Sequence, residues 1–368
     1  MLTKFCVENF KTFPKPLTFD LSKTGNYEFN SDAVKNGTVS KALIYGFNGC
    51  GKSTLGLALF DIVTHLTDWT WHRESYEPYL NLNNRPNIPA TFAYTFCFGG
   101  TEVVYRYQKS DAETLLEETL LIGNREVLRY DFRTNEGYVA LKGTETLKLG
   151  AKDNRISRVK FVRSNGILKK NAENEAFLSF IDYVNRMLLF YSLRDNRYYG
   201  FKSGRNTLSA YIIDSGKTKD FETFLRENNV DIHLTAKEED DEKQLFAHYA
   251  NKDYPFIKVA STGTKSLMLF YYWYLQMEKA SLVFMDEFDA FYHFELAESI
   301  VRKVKELSGT QVILTTHNTD LLSNDLLRPD CFFWLDSGRI APLCDLTEKE
   351  LRKAQNLQKM YKAGAFRG

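Results

Sequence analysis

Cysteine is scarce and scattered in this chain. The five present, Cys6, Cys50, Cys97, Cys331 and Cys344, form no C-x-x-C pair, so neither a zinc site nor a disulfide framework is indicated. No apolar run approaches the ~18 residues that a membrane-crossing helix needs, and no transmembrane segment or membrane partner is expected. No signal peptide is expected either, because Met1-Leu2-Thr3-Lys4 leads straight into the strand-like Phe5-Cys6-Val7. Charge of one sign is also lacking. Lys and Arg number 48 against 47 Asp and Glu, a formal net charge of +1, so bulk charge steers the protein neither to nucleic acid nor to a membrane. No heptad run is sustained, which argues against a long coiled coil, and there is no internal repeat or low-complexity linker. A cytoplasmic location is expected. What the chain has is length and apolar content: 368 residues, 43% hydrophobic, enough for a substantial core. That length allows more than one average domain, or one large α/β domain with insertions.

The most informative stretch is Tyr45-Gly46-Phe47-Asn48-Gly49-Cys50-Gly51-Lys52-Ser53-Thr54. It fits G-x-x-x-x-G-K-[S/T], the phosphate-binding loop of nucleotide hydrolases. Glycines let the backbone curl so that successive N–H groups, here from Asn48 to Thr54, point at phosphate oxygens. Lys52 reaches the β- and γ-phosphates in such loops, and the Ser53 hydroxyl sits on Mg²⁺. The context agrees. Ala42-Leu43-Ile44-Tyr45 reads as a short buried strand, and Leu55-Gly56-Leu57-Ala58-Leu59-Phe60 as a helix start, whose N-terminus favours anions. The place of Cys50 inside this loop suits a reducing compartment.

Beyond residue 85 the period changes to two. Phe92-Ala93-Tyr94-Thr95-Phe96-Cys97-Phe98 turns at Gly99-Gly100 into Val103-Val104-Tyr105-Arg106-Tyr107, a hairpin signal, and similar runs follow at 118–122, 126–131 and 138–141. This predicts an antiparallel β-meander over 85–150. From 171 to 228 the spacing of Phe177, Phe180, Ile181, Val184, Met187 and Leu188 is helical, and 151–253 is expected to be an inserted helical lobe. The acidic run Glu238-Glu239-Asp240-Asp241-Glu242 reads as a solvated loop or helix N-terminus. After residue 254 the α/β pattern returns. Leu282-Val283-Phe284-Met285 and Val312-Ile313-Leu314-Thr315-Thr316 look like buried parallel strands flanking a helix at 295–307. The expected core is therefore an α/β unit built from 1–70 and 254–368.

The first of those strands ends in Asp286-Glu287. Asp286 suits the Mg²⁺ shell, and Glu287 suits polarisation of the attacking water. The long interval between Lys52 and Asp286 is unlike small GTPases and ring-forming motors. It resembles ABC-type ATPases, including the RecF and SMC relatives. Ser261-Thr262-Gly263-Thr264-Lys265, just before a helix leading into the Asp286 strand, resembles the S-x-G-x signature of that class. The resemblance implies that Ser261 and Gly263 touch the γ-phosphate held by a second subunit; Ser261 also fits an ordinary helix N-cap. Leu314-Thr315-Thr316-His317-Asn318 is similar to the strand that ends in the switch histidine, which makes His317 a γ-phosphate contact.

The resemblance narrows to small bacterial ATPases related to the overcoming-lysogenization-defect (OLD) family and to abortive-infection proteins, a group that includes the ATPase subunit of the two-component PARIS system. It is carried by Asp286-Glu287-Phe288-Asp289-Ala290-Phe291-Tyr292-His293, by the opening Val7-Glu8-Asn9-Phe10-Lys11-Thr12-Phe13, and by the tail Tyr361-Lys362-Ala363-Gly364-Ala365-Phe366. It implies an α/β, ABC-type P-loop ATPase with a mostly parallel core sheet, an antiparallel β-meander and an inserted lobe. It further implies ATP and Mg²⁺ as cofactors, a homodimer or higher homo-oligomer, and a separate effector protein, nuclease or toxin, controlled in anti-phage defence and released by a phage trigger. The alternative is a RecF/SMC-like DNA-repair ATPase acting directly on DNA. Two features depart from the family pattern. Phe294 follows His293 where Pro is usual, and no Gln-loop can be placed: Gln108 is in the wrong setting, which leaves the loop 81–87 as its substitute. No nuclease signature is visible. Lys152, Arg155, Arg158, Lys160, Arg163, Lys169 and Lys170, followed by Arg194, Arg197, Lys202 and Arg205 with aromatics among them, suit nucleic acid, a solvated face or a protein interface.

Overall fold

The computed structural model describes residues 1–69, 71–85, 87–150, 156–191, 197–200, 208–239, 242–250, 252–290, 294–336 and 338–366. Two seven-stranded sheets dominate it. The first is antiparallel, ordered Glu136–Val139, Arg125–Asp131, Leu115–Ile122, Thr101–Lys109, Ala90–Phe98, Leu2–Glu8, Leu17–Asp20. The meander expected from period-two alternation is therefore present, and it continues into the first twenty residues of the chain.

The second sheet is ordered Arg197–Gly200, Met187–Tyr191, Leu282–Asp286, Gln311–Thr315, Lys41–Tyr45, Phe332–Asp336, Arg339–Pro342. Its five central strands run parallel and its two edge strands antiparallel. The central strands Met187–Tyr191, Leu282–Asp286, Gln311–Thr315 and Lys41–Tyr45 are buried at every position. That is why they read as continuous apolar runs and not as alternating ones.

The helix Lys52–Leu66 lies between the two sheets and is buried at twelve of its positions. Gly56 is its point of closest approach to the parallel sheet: a Cβ there would stand 2.6 Å from Phe284 Cε1. From the other side Tyr94 of the antiparallel sheet donates its hydroxyl to Ala58 O at 2.8 Å. A helix covered on both flanks has no polar face to show, so its apolar residues run all round.

The acidic exception is Asp61, fully buried. Its Oδ1 lies 2.9 Å from Lys109 Nζ and accepts from the Tyr107 hydroxyl at 2.8 Å, while Oδ2 accepts from Tyr79 at 2.9 Å. Burial pulls the Lys109 ammonium below its usual range, and Asp61 offsets that. Removing one partner of such a pair strands the other charge in the interior. Asp61→Ala is expected to cost about 3–5 kcal/mol of stability. Denaturant unfolding measures it, and a loss below about 1 kcal/mol, the worth of an exposed pair, would contradict the buried pairing.

The segment 151–253 departs from the expected helical lobe. Helices Arg158–Asn165, Ala172–Asn185, Leu208–Asp214 and Thr218–Glu227 are present. Between them, however, Met187–Tyr191 is a core strand parallel to Leu282–Asp286. Met187 and Leu188 continue the helical spacing of Phe177 to Val184 by coincidence; five consecutive apolar residues buried on both faces belong to a sheet. The acidic run also differs. Glu238 and Glu242 are exposed as expected but lie in the strands His233–Glu239 and Glu242–Tyr249 of a three-stranded antiparallel sheet completed by Lys252–Pro255, and the middle of the run, Asp240 and Asp241, lies outside the described residues.

Candidate nucleotide site

The phosphate loop follows Lys41–Tyr45, and the helix Lys52–Leu66 begins with Gly51 as its N-cap. Gly49 and Gly51 have φ of 78° and 108°, which side chains rarely adopt. A Cβ on Gly49 would meet nothing within 4 Å, so the loop has an open face. A Cβ on Gly51 would lie 2.8 Å from the Phe13 ring and 3.0 Å from Thr12 Oγ1. The loop thus rests on the turn 10–13, closed by Phe10 N–H to Phe13 O at 3.1 Å and Phe13 N–H to Phe10 O at 2.8 Å. This floor was not legible in the sequence, where the opening segment carries only a family resemblance. Cys50 is half-buried, and burial pushes its thiol up, with the Lys52 charge acting the other way.

Lys52 is 5% exposed. Its Nζ donates to Gly46 O at 3.2 Å, lies 2.7 Å from His317 Nε2 and 3.6 Å from Glu287 Oε1. His317 Nε2 is in turn 3.0 Å from Glu287 Oε1. An ammonium can only donate, so Nε2 accepts from Lys52 when His317 is neutral with its proton on Nδ1; a protonated His317 would instead donate to Glu287. Three residues singled out from separate motifs therefore meet in one cluster.

Asp286 is 5% exposed and accepts from the Thr315 hydroxyl at 2.9 Å. Burial raises its carboxyl above the usual range, while the Ser53 and Thr315 hydroxyls and the Lys52 charge counter that. The exposed Ser53 hydroxyl reaches Asp286. A carboxylate and a hydroxyl side by side make a hard oxygen set, which fits Mg²⁺ held jointly with nucleotide phosphates. The open glycine face above them fits the phosphates themselves. Glu287 follows with φ of 50°. Asp289, also raised by burial, accepts from the Thr316 hydroxyl at 2.7 Å.

Ser261 and Gly263 stand apart from this cluster. Ser261 caps the helix Thr262–Met277, accepting from Thr264 N–H at 3.1 Å. Both are exposed at the mouth of a cleft of about 660 Å³ whose walls include Asn228, Leu267 and Glu295. Among the described residues no hydrogen bond or ion pair joins Ser261 or Gly263 to the phosphate loop. The N-cap geometry is thus present within one chain; the trans contact concerns a second.

Neither Gln-loop candidate reaches Asp286 by a hydrogen bond in the described residues. Gln108 lines a shallow cleft on the antiparallel sheet with Arg106 and Arg129. Asn81 and Asn84 bind the N-terminal turn, through Lys11 O and through Asn9 Oδ1 and Pro14 O. The basic segment is not one continuous face either. Arg158 is fully buried, 4.5 Å from the Tyr130 ring and 4.9 Å from the Phe132 ring, and Lys160 pairs with Asp68. Lys152, Arg155, Arg194, Lys202 and Arg205, the side chain of Arg197, and His293 lie outside the described residues. No helix among the described residues is long and apolar enough to cross a membrane.

Comparison with known proteins agrees with this geometry. The SMC head domain from Thermotoga maritima superposes with a TM-score of 0.50 at 17% identity, covering 93% of this chain and 98% of its own. An SmcHead bound to the C-winged helix domain of ScpA covers 93% of this chain and 97% of its own, with 14% identity and a TM-score of 0.47. The first likeness shows the fold, that of an SMC head domain. No curated protein matches the chain. A family model described as "AAA domain, putative AbiEii toxin, Type IV TA system" matches residues 41–323, from the phosphate-loop strand to beyond His317. The chain belongs to that AbiEii-type AAA-domain family of ATPases.

Proposed function

We propose that the protein binds and hydrolyses ATP with Mg²⁺ and so regulates a separate effector in bacterial anti-phage, abortive-infection defence. The observation that carries the ATPase reading is the meeting of Lys52, Glu287 and His317 within 3.6 Å of one another beside the Ser53–Asp286 pair. In this reading the N–H groups of 48–54 and Lys52 hold the β- and γ-phosphates. Ser53 and Asp286 hold the metal, which when bound supplies charge neutralisation across the phosphate oxygens. Glu287 Oε1 accepts the proton of the attacking water as its oxygen bonds to the γ-phosphorus, and the bond to the ADP oxygen breaks. His317 orients the γ-phosphate and keeps Glu287 in place.

The defence role is supported by the family description, with its toxin and toxin–antitoxin terms. Phage plating on cells carrying the parental gene and its neighbours tests it. Protection is expected, and is expected to vanish with Lys52→Ala. Protection that survives that change would overturn the link between ATP and defence.

The active unit in this reading is at least a dimer, with Ser261 and Gly263 closing a neighbour's site. Gly263 is suited to a test, because a Cβ there would meet only Ser261 Oγ, at 3.9 Å, so Gly263→Asp is sterically tolerated within its own chain. A Lys52→Ala chain mixed with a Gly263→Asp chain is expected to recover partial ATPase activity that neither has alone. A parental chain that hydrolyses ATP at full rate when diluted to monomer would refute the trans arrangement.

A further inference from the structure

We propose that Thr315 is a positioning residue that sets both acidic residues of the site, the metal-holding Asp286 and the water-polarising Glu287, through a single hydroxyl. The inference rests on the ATPase reading above and deepens it. Thr315 is fully buried at the end of the strand Gln311–Thr315. Its Oγ1 accepts from Glu287 N–H at 2.8 Å and lies 2.9 Å from Asp286 Oδ1. The directions of these two bonds follow from chemistry alone. An amide can only donate, so the hydroxyl accepts there, and its one proton goes to the Asp286 carboxylate. The main chain of Thr315 adds a further tie, accepting from Phe288 N–H at 3.2 Å.

The neighbouring residue repeats the device. Thr316 Oγ1 donates to Asp289 Oδ2 at 2.7 Å and accepts from Asn318 N–H at 2.8 Å. The turn that follows the acid strand is thereby stapled to the next strand on both sides of Glu287, and the backbone is held on both sides of His317.

What the staple opposes is visible in the backbone. Glu287 has φ of 50°, a left-handed conformation disfavoured for a residue with a side chain. That conformation persists where surroundings over-determine it. The bond from Glu287 N–H to Thr315 is such a constraint, and it acts on the residue whose carboxylate sits 3.0 Å from His317 Nε2. At Asp286 the same hydroxyl ties one carboxylate oxygen, so the other is presented in one orientation. Hydrogen bonds of this outer kind orient ligands at metal sites, and their loss typically costs about 10–100-fold in metal affinity or activity.

Thr315→Val keeps the shape and removes the hydroxyl; Thr315→Ser keeps the hydroxyl. A fluorescent ATP analogue is titrated against each full chain in Mg²⁺ and in EDTA. Thr315→Val is expected to lose about 10–100-fold of the Mg²⁺-dependent gain in affinity, with EDTA affinity unchanged, and Thr315→Ser to retain the gain. A merely structural role would weaken both conditions alike. A folded Thr315→Val protein with the parental Mg²⁺ gain overturns the inference while leaving the ATPase reading intact. A parental protein without any Mg²⁺ gain overturns that reading and the inference with it. Hydrogen exchange on the parental protein gives a check that needs no variant to fold: the Glu287 amide is expected to be protected, and its rapid exchange overturns the proposal.

Discussion

Lys52→Ala is expected to abolish tight ATP binding. The side chain is buried among acceptors that cannot replace it: the Gly46 and Phe47 carbonyls at 3.2 and 3.4 Å, His317 Nε2 at 2.7 Å and Glu287 Oε1 at 3.6 Å. None of these groups can stand in as a permanent cation against two phosphates. Hydrogen bonds to charged groups contribute about 1.5–3 kcal/mol each, and removing one such partner alone weakens binding at least tenfold. A second effect adds to the first. Without the ammonium, Glu287 and the incoming phosphates face one another with no charge between them, and like charges in a partly buried site repel strongly. The fold should survive, since Glu287 and His317 remain partly open to solvent, with side-chain exposures of 18% and 38%. Equilibrium titration with nucleotide is the measurement. A folded variant that binds ATP like the parent would show that the loop is a glycine-rich turn and not a phosphate cradle.

The parts of the site that were legible in the sequence are those written in short contiguous patterns. Gly46, Gly51, Lys52 and Ser53 announce the loop, and an apolar strand ending in Asp286-Glu287 announces the acids. The strand order that brings His317 beside them follows from parallel neighbours, Leu282–Asp286 with Gln311–Thr315 and then Lys41–Tyr45. What was not legible depends on partners distant in the chain. Period reports which face of an element is buried, not what covers it. Met187–Tyr191 could therefore pass for the end of a helix. Arg158 could pass for a solvent-facing cation, although two aromatic rings enclose it. Asp61 sits in an apolar helix without any local sign that Lys109 and two tyrosines await it. Thr315 and Thr316 carry the same lesson. The pair is visible before His317, yet only the three-dimensional register assigns one hydroxyl to Asp286 and Glu287 and the next to Asp289.

Glu287→Gln should leave ATP binding nearly intact and slow its hydrolysis. The substitution preserves length and branching, so the left-handed backbone at this position is asked to carry a side chain of the same shape. Lys52 and Ser53, which hold the phosphates and the metal in the proposed reading, are unchanged. What disappears is the negative charge and the capacity to take a proton. An amide oxygen still accepts a hydrogen bond but polarises water weakly and does not act as a base at neutral pH. Loss of a general base typically costs about 10²–10⁴-fold in rate. His317→Ala supplies the comparison. It removes a neighbour 3.0 Å from the Glu287 carboxylate and 2.7 Å from Lys52 Nζ, but leaves the base itself, so its turnover should fall between the parent and Glu287→Gln. Single-turnover hydrolysis, measured beside equilibrium binding for the three proteins, separates the contributions. Parental turnover in Glu287→Gln would remove Glu287 from the water-activating role. A His317→Ala protein slower than Glu287→Gln, at matched nucleotide occupancy, would move the dominant role to the histidine.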